Sequence, residues 1–224
     1  LFSPEEEQEY RLLELPPEFI SLANKHLPPT ATYALNYLYS RGLSKEDIIR
    51  WKIGYCSSGE YEGRVIFPSF NIDGNLNYFV GRSYDRNWKR YLNPSLKGDI
   101  IFNHLYLDFL KPLTIVEGVF DAAKAGYNSV PLLGSTLSET SSLLSEIVRN
   151  DTTVYLALDA DANKKNLKLM QLFLKYDIEL YSVDLNSTAY EDVGDMPKEN
   201  FEKLKLKTKK VNLDDLLVNK IMNI

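Results

Sequence analysis

Cysteine is almost missing from this chain: Cys56 stands alone, and His26 and His104 are the only histidines. One thiol excludes an internal disulfide, and three such side chains cannot make a four-ligand Cys/His zinc site, so no zinc is expected within the chain. No apolar run approaches the roughly 20 residues of a membrane-spanning helix, which excludes a membrane partner of that kind. No basic-then-apolar segment opens the chain, so a cytoplasmic protein is expected. Self-similarity at a period of about 20–50 residues is missing too, which excludes a solenoid. Leu1 in place of an initiator methionine suggests an excised fragment. What remains is ordinary: 224 residues, 44% hydrophobic and 25% charged, enough for one large domain or two modest ones. The net charge of −5 argues weakly against binding nucleic acid over the whole surface. That charge is uneven, with residues 1–40 at −4, residues 41–100 at +3 and the remainder at −4. The positive charge gathers between Arg82 and Lys97.

Two acidic clusters, each closing a short apolar run, organise the chain. The first is Leu113-Thr-Ile-Val-Glu117-Gly118-Val-Phe-Asp121; the second is Val154-Tyr-Leu-Ala-Leu-Asp159-Ala-Asp161. Each run reads as a buried parallel strand, and ligands collect at the carboxyl ends of such strands. Gly118 permits a tight turn, and Ala122-Ala-Lys-Ala125 opens a helix. Asp159 and Asp161, two apart, point the same way on an extended chain. Converging carboxylates with no Lys or Arg among them repel one another, and a hard divalent cation such as Mg²⁺ relieves that repulsion.

Around these clusters the pattern divides into an α+β region over 1–105, an α/β region over 106–200 and a basic stretch with a short helix over 201–224. In the first, two helices are expected over 4–26, separated at Pro16-Pro17. A third over 31–40 starts at a Thr30 cap and buries Tyr33, Leu35, Tyr37 and Leu38. A fourth, from Ser44 to Trp51, has a capping-box pattern. Strands at Arg64–Phe67 and Leu76–Val80 flank an Asp73-Gly74 turn. In the second region, strands at 113–116, 128–132, 153–158 and 178–183 alternate with helices at 119–125, 138–149 and 163–176, which implies a parallel sheet flanked by helices. The lysines at 203, 205, 207, 209 and 210 read as a solvated run, followed by an amphipathic helix over 213–221.

Glu117-Gly-x-x-Asp121, Leu133-Gly-Ser-Thr136 and Asp159-x-Asp161 together resemble the Toprim domain of primases, topoisomerases and some nucleases. Upstream, Tyr37-Leu-Tyr-Ser-Arg-Gly-Leu-Ser44, Ile53-Gly-Tyr55, Arg64-Val-Ile-Phe-Pro68, Gly81-Arg82, Arg90-Tyr-Leu-Asn93 and Lys97-Gly98 occur in that order. The series is similar to the RNA-polymerase core of DnaG-type primases, phage versions included, over about residues 30–200. The resemblance implies template-directed synthesis of RNA primers on single-stranded DNA from NTPs, with Mg²⁺ or Mn²⁺ as cofactor. A replicative helicase is the implied partner, recruited through regions outside this core. It implies metal ligation by Glu117, Asp121, Asp159, Asp161 and Asp192, with Asp195 replacing the last acid of the motif although it lies three residues on rather than two. Glu117, Asp159 and Asp161 are the implied catalytic set, with Glu117 a ligand or the base. Arg64, Arg82, Lys89, Arg90, Asn93 and Lys97 are the implied template and nucleotide contacts, and Trp88 and Tyr91 could stack on bases. Two features depart from the family: Asp159-Ala-Asp-Ala-Asn163 lacks its glycines, and the preceding zinc module is not present.

Each residue also has a plainer reading. Asp121 suits a helix N-terminus, Asp159 and Asp161 suit a turn, Asp192 and Asp195 suit a loop, and the basic residues suit a solvated face. Two rival functions follow: a Toprim-type metal-dependent nuclease and a non-catalytic single-strand-binding module. The upstream Arg-Val-Ile-Phe-Pro and Arg-Tyr-Leu-Asn motifs discriminate against the nuclease. A topoisomerase has no room here for a tyrosine-bearing strand-passage domain.

Overall fold

The computed structural model describes residues 13–85, 89–95 and 98–212. Trp88, Lys97, the start of the first expected helix and the expected helix over 213–221 lie outside the described residues. A five-stranded antiparallel sheet comes first, built in chain order from β1 (Phe19–Ser21), β2 (Gly54–Cys56), β3 (Arg64–Phe70), β4 (Leu76–Ser83) and β5 (Tyr91–Leu92). The Asp73-Gly74 turn closes the β3–β4 hairpin as expected, with the Asn71 side chain accepting from the N–H groups of Asp73 and Asn75. Pro68 is tolerated inside β3 because β2 pairs only as far as Ile66, so no neighbour needs the missing N–H.

The helix expected between Pro17 and His26 is not there. Phe19–Ser21 instead pairs antiparallel with Gly54–Cys56, and the Phe19 N–H turns back to the Pro16 carbonyl in a tight turn that leads into the strand. Sheet pairing overrode a weak helical pattern.

Helix α1 (Ala31–Ser40) occupies the expected span, but its buried face is Ala31, Ala34 and Leu38, and Tyr33 is 71% exposed. Thr30 makes no cap bond, and its hydroxyl pairs with the Tyr55 hydroxyl at 2.8 Å. The helix ends at Gly42, whose φ of +71° lets the Leu43 N–H reach back to the Leu38 carbonyl. Helix α2 (Lys45–Arg50) has the expected capping box, with Ser44 Oγ accepting from the Asp47 N–H and Asp47 Oδ2 from the Ser44 N–H. Ser44→Ala should remove about 1 kcal/mol of stability and lower the melting temperature by roughly 2–4 °C in a thermal melt.

The second layer is parallel. Strands β6 (Leu113–Val116), β7 (Ser129–Pro131), β8 (Val154–Leu156) and β9 (Leu180–Ser182) lie in the order β7-β6-β8-β9. Helices α3 (Val119–Ala125), α4 (Ser142–Arg149) and α5 (Asn163–Lys175) make the crossovers, and α6 (Lys198–Lys207) follows. From β6 the chain moves to one side for β7 and to the other for β8. The sheet therefore has its switch point between β6 and β8, the position at which open α/β sheets hold ligands.

Phe120 of α3 joins the two layers. Its ring meets Phe67 of β3 edge-on at 5.0 Å and Tyr37 of α1 at 5.9 Å, within one hydrophobic core spanning both sheets. The basic stretch is only partly solvated, since the Val211 N–H bonds to the Leu180 carbonyl and Lys210 bridges to Tyr181, pinning the chain along β9.

Candidate active site

The fully buried strand β6 delivers Glu117 to the switch point, and Leu158 at the end of the β8 run delivers Asp159 beside it. Burial pushes the Asp159 carboxyl up to about 7, and the negative charges of Asp121, Glu117, Asp192 and Asp161 push the same way. Asp159 is thus the centre of an acidic ring. Asp161 is more exposed, because β8 ends at Leu156 and residues 160–161 form a turn rather than the extended chain expected. The Ala160 N–H donates to the Glu191 carbonyl, which fastens that turn to the loop carrying Asp192.

Asp121 is 7% exposed and its carboxylate is committed to two amides, Gly118 N–H to Oδ2 and Gly194 N–H to Oδ1, each at 2.7 Å. A Cβ at Gly194 would come within 2.7 Å of Asp121 Oδ1, so only glycine permits that approach. Burial and the nearby Asp192 push Asp121 up to about 6, against the opposing effect of the two amides and Arg41. Asp192 caps a 3-10 turn over Val193–Asp195 by accepting from the Asp195 N–H at 2.7 Å.

Basic residues do enter the acidic cluster, contrary to expectation. Lys165 Nζ reaches Glu117 Oε2 at 3.0 Å, both side chains being about three-quarters buried (24% and 22% exposed). Arg41 pairs with Asp195 at 3.0 Å, and its guanidinium lies 4.7 Å over the Phe120 ring. The spacing of Asp192 and Asp195 has a structural meaning here: the second acid turns toward Arg41 while the first stays near Asp159. With Glu117, Asp121 and Asp195 so engaged, no group of three His, Cys, Asp or Glu side chains among the described residues forms a ready metal cage. A signal for Lys165 was present, since a cation in the first turn of α5 opposes the helix dipole and needs a partner. Arg41, at a helix carboxyl end, gave none.

The basic tract divides by depth. Arg64 is buried and donates to the carbonyls of Lys89 at 2.8 Å and Arg90 at 3.5 Å, so it faces inward and shapes the segment that follows β4. Arg82, also buried, donates to the Tyr37 hydroxyl at 3.1 Å and lies 4.7 Å over the Tyr91 ring. Lys89 and Arg90 are exposed. Asn93 Oδ1 accepts from the Gly81 N–H at 3.3 Å. Tyr91 and Asn93 wall a cavity of about 310 Å³ whose opposite side is Glu117, Gly118, Leu133 and Gly134. The Leu133 N–H donates to the Glu117 carbonyl, tying the Leu133-Gly-Ser-Thr136 loop to the acidic cluster.

No family model matches the chain. A DNA primase of Helicobacter pylori (strain J99) is 25% identical over 206 residues, covering 71% of this chain and 35% of that protein. The chain thus spans about a third of the length of the curated relatives it matches. A DNA primase domain from Pseudomonas aeruginosa superposes with a TM-score of 0.71 at 19% identity, covering 91% of this chain and 79% of that one. A DnaG primase catalytic domain bound to single-stranded DNA superposes with a TM-score of 0.67 at 21% identity, covering 88% and 77%. The chain has the fold of a DnaG primase catalytic core. The resemblance read from the Glu117 and Asp159 clusters and the upstream motifs therefore holds at the level of architecture, an α+β layer followed by an α/β layer with a parallel sheet. In that DnaG-like frame the acidic ring lies at the switch point, and Tyr91 and Asn93 share a cavity with Glu117.

Proposed function

We propose that this chain is the catalytic core of a DNA primase, joining NTPs into short RNA primers along a single-stranded DNA template. One observation carries the reading. The carboxylates of a Toprim-like sheet gather around Asp159 at the switch point, opposite a cavity walled by Tyr91 and Asn93 of the other layer. In this reading Asp159, Asp161 and Asp192, which form no ready cage by themselves, would hold Mg²⁺ or Mn²⁺ together with substrate phosphate oxygens, since carboxylate and phosphate oxygens suit hard cations. Such an ion, when bound, neutralises charge developing on the α-phosphate and the departing pyrophosphate. Glu117, ion-paired with Lys165, would act at the 3′-hydroxyl as ligand or base. Asp121 holds the loop that carries Asp192, and Arg41 keeps Asp195 out of the cluster. Lys89 and Arg90, with Lys97, neutralise template and nucleotide phosphates, while Arg64 and Arg82 hold that segment in place. Asn93 faces the nucleotide across the cavity.

The test uses a short labelled RNA annealed to a longer DNA template, with NTPs and Mg²⁺ or Mn²⁺, which bypasses initiation. Metal-dependent lengthening supports the reading; metal-dependent shortening overturns it in favour of a nuclease. Template binding without either change overturns catalysis and leaves a binding module.

Metal binding has its own measurement in thermal stability. The carboxyls of Asp121 and Asp159 are both raised above their ordinary range. Their contribution to stability is fully present below about pH 4 and is lost as pH rises through about 6 to 7. Saturating Mg²⁺, at about ten times its dissociation constant, should therefore raise the melting temperature by roughly 3–6 °C at pH 8 and by less at pH 5.5. Asp159→Asn should raise the metal-free melting temperature at pH 8 and abolish most of the Mg²⁺ gain. An equal gain in the variant would show that the ion binds elsewhere.

A further inference from the structure

Helix α6 places Lys203 and Lys207 one turn apart on the same face, with Asn200 in line one turn before them. The neighbouring cations on this helix are engaged: Lys198 with Asp47, and Lys205 with Glu202 and the rings of Tyr155 and Phe201. Lys203 and Lys207 are exposed and have no carboxylate partner among the described residues. They do not project into open solvent on all sides. Together with Asn200 they line one wall of a shallow groove of about 270 Å³, whose opposite wall carries Thr188 and Tyr190.

That opposite wall is built and fixed. Thr188 Oγ1 donates to the Leu185 carbonyl at 2.7 Å and accepts from the Tyr190 N–H at 3.1 Å, which sets the backbone at Tyr190. The Tyr190 ring is half-exposed, and its hydroxyl accepts from Asn200 Nδ2 at 3.5 Å. The next residue, Glu191, accepts from the Ala160 N–H, between Asp159 and Asp161, and the one after it is Asp192. The backbone that forms this wall is thus fastened to the turn carrying Asp159 and Asp161 and leads on to Asp192. Two cations at about one-turn spacing with no carboxylate partner among the described residues, facing an aromatic ring across a shallow channel, match what a single-stranded nucleic acid offers: regularly spaced phosphates and bases with π faces.

We propose that the groove between α6 and the 188–196 loop is a track for a single-stranded nucleic-acid backbone, Lys203 and Lys207 taking phosphates and Tyr190 a base. The inference rests on the primase reading and extends it, giving the strand at the acidic ring a second contact away from the basic tract at Arg82–Lys97. The same chemistry would serve the DNA template or the RNA primer.

The experiment is binding of labelled 16-nucleotide single strands, one DNA and one RNA, followed by fluorescence anisotropy over a salt series with the whole chain. For single strands each neutralised phosphate contributes about 0.7 to the slope of log affinity against log salt. The Lys203→Gln, Lys207→Gln double variant should therefore flatten the slope by about 1.4. Lys168→Gln, at an exposed lysine on α5, is the control for removing a cation elsewhere and should change it little. Tyr190→Ala should weaken binding roughly 5- to 150-fold, as loss of one base stack does, while Tyr190→Phe retains it and controls for folding. A slope that flattens only with RNA assigns the track to the primer, only with DNA to the template, and with both to either strand. An unchanged slope in the double variant, or equal flattening in Lys168→Gln, overturns the track. Primer extension by the unmodified chain is scored separately, so a failed groove and a failed primase reading give different results.

Discussion

Asp159→Ala is expected to lower metal-dependent primer extension at least about 100-fold while the chain stays folded and keeps its affinity for the template. The size follows from what the side chain contributes: removing one group that stabilises developing charge commonly costs 10²–10³ in turnover, and Asp159 is the residue on which the other acids converge. Folding should not suffer, because the Asp159 carboxyl is burdened by burial and by four like-charged neighbours, so its removal relieves strain in the metal-free protein. The comparison that gives the experiment its meaning is Asp195→Asn. Asp195 is 58% exposed and its partner is Arg41, so its loss should reduce extension by less than about tenfold, as fits a surface ion pair worth at most about 1 kcal/mol. Comparable loss in both variants would put Asp195 in the metal centre and contradict the division drawn here. Full activity in Asp159→Ala would remove the acidic ring from the chemistry altogether.

The parallel layer was open to reading from sequence because burial on both faces forces continuous apolar runs. Leu113–Val116 and Val154–Leu158 are such runs, and the acids appear where burial stops. Helix α3 followed from Gly118 and the alanines, and α2 from a capping box visible as Ser44 and Asp47. The failures share a cause. Residues 19–21 became a strand only because β2 lay beside them, a partner about thirty-five residues away that no local pattern announces. Tyr33 was assigned to the wrong face of α1, since a helix rich in Tyr, Leu and Ala has several plausible apolar stripes and the small Ala31-Ala34-Leu38 stripe is the one that packs. At the site, the identity of the acids was legible and their partners were not. Lys165 lies 48 residues from Glu117 and Arg41 lies 154 from Asp195, so which carboxylates remain unpaired is decided by tertiary structure. The groove on α6 is the same lesson reversed, because a run of lysines looks uniformly solvated until the fold pairs some and leaves Lys203 and Lys207.

Asp121→Ala should be the most destabilising change in the acidic cluster, even though Asp121 is the acid whose lone pairs are already spent within the fold. Its two oxygens satisfy the N–H groups of Gly118 and Gly194, neither of which has another acceptor among the described residues. A buried amide left unsatisfied costs about 1–3 kcal/mol, so two cost about 2–6, and relief of the burdened carboxyl returns part of that. A net loss of about 3 kcal/mol, seen as a melting temperature lower by roughly 6–12 °C, is the expected result. Asp121→Asn should fall between, since one amide oxygen can serve one N–H while its NH₂ group opposes the other. The pH dependence identifies the cause. Asp121 titrates near 6 in the folded chain, above its ordinary value, so its favourable contribution is greatest at low pH and declines as pH rises through that point. The penalty for Asp121→Ala should accordingly be larger at pH 5 than at pH 8. Asp192→Asn, which removes the second cause of the shift, should narrow the difference. If the penalty is instead small at both pH values, the two amides find other acceptors and Asp121 is free to serve as a metal ligand. If it is large, the acid nearest the Glu117 turn acts by holding Gly118 and Gly194 together, and with them the β6–α3 turn and the loop that presents Asp192.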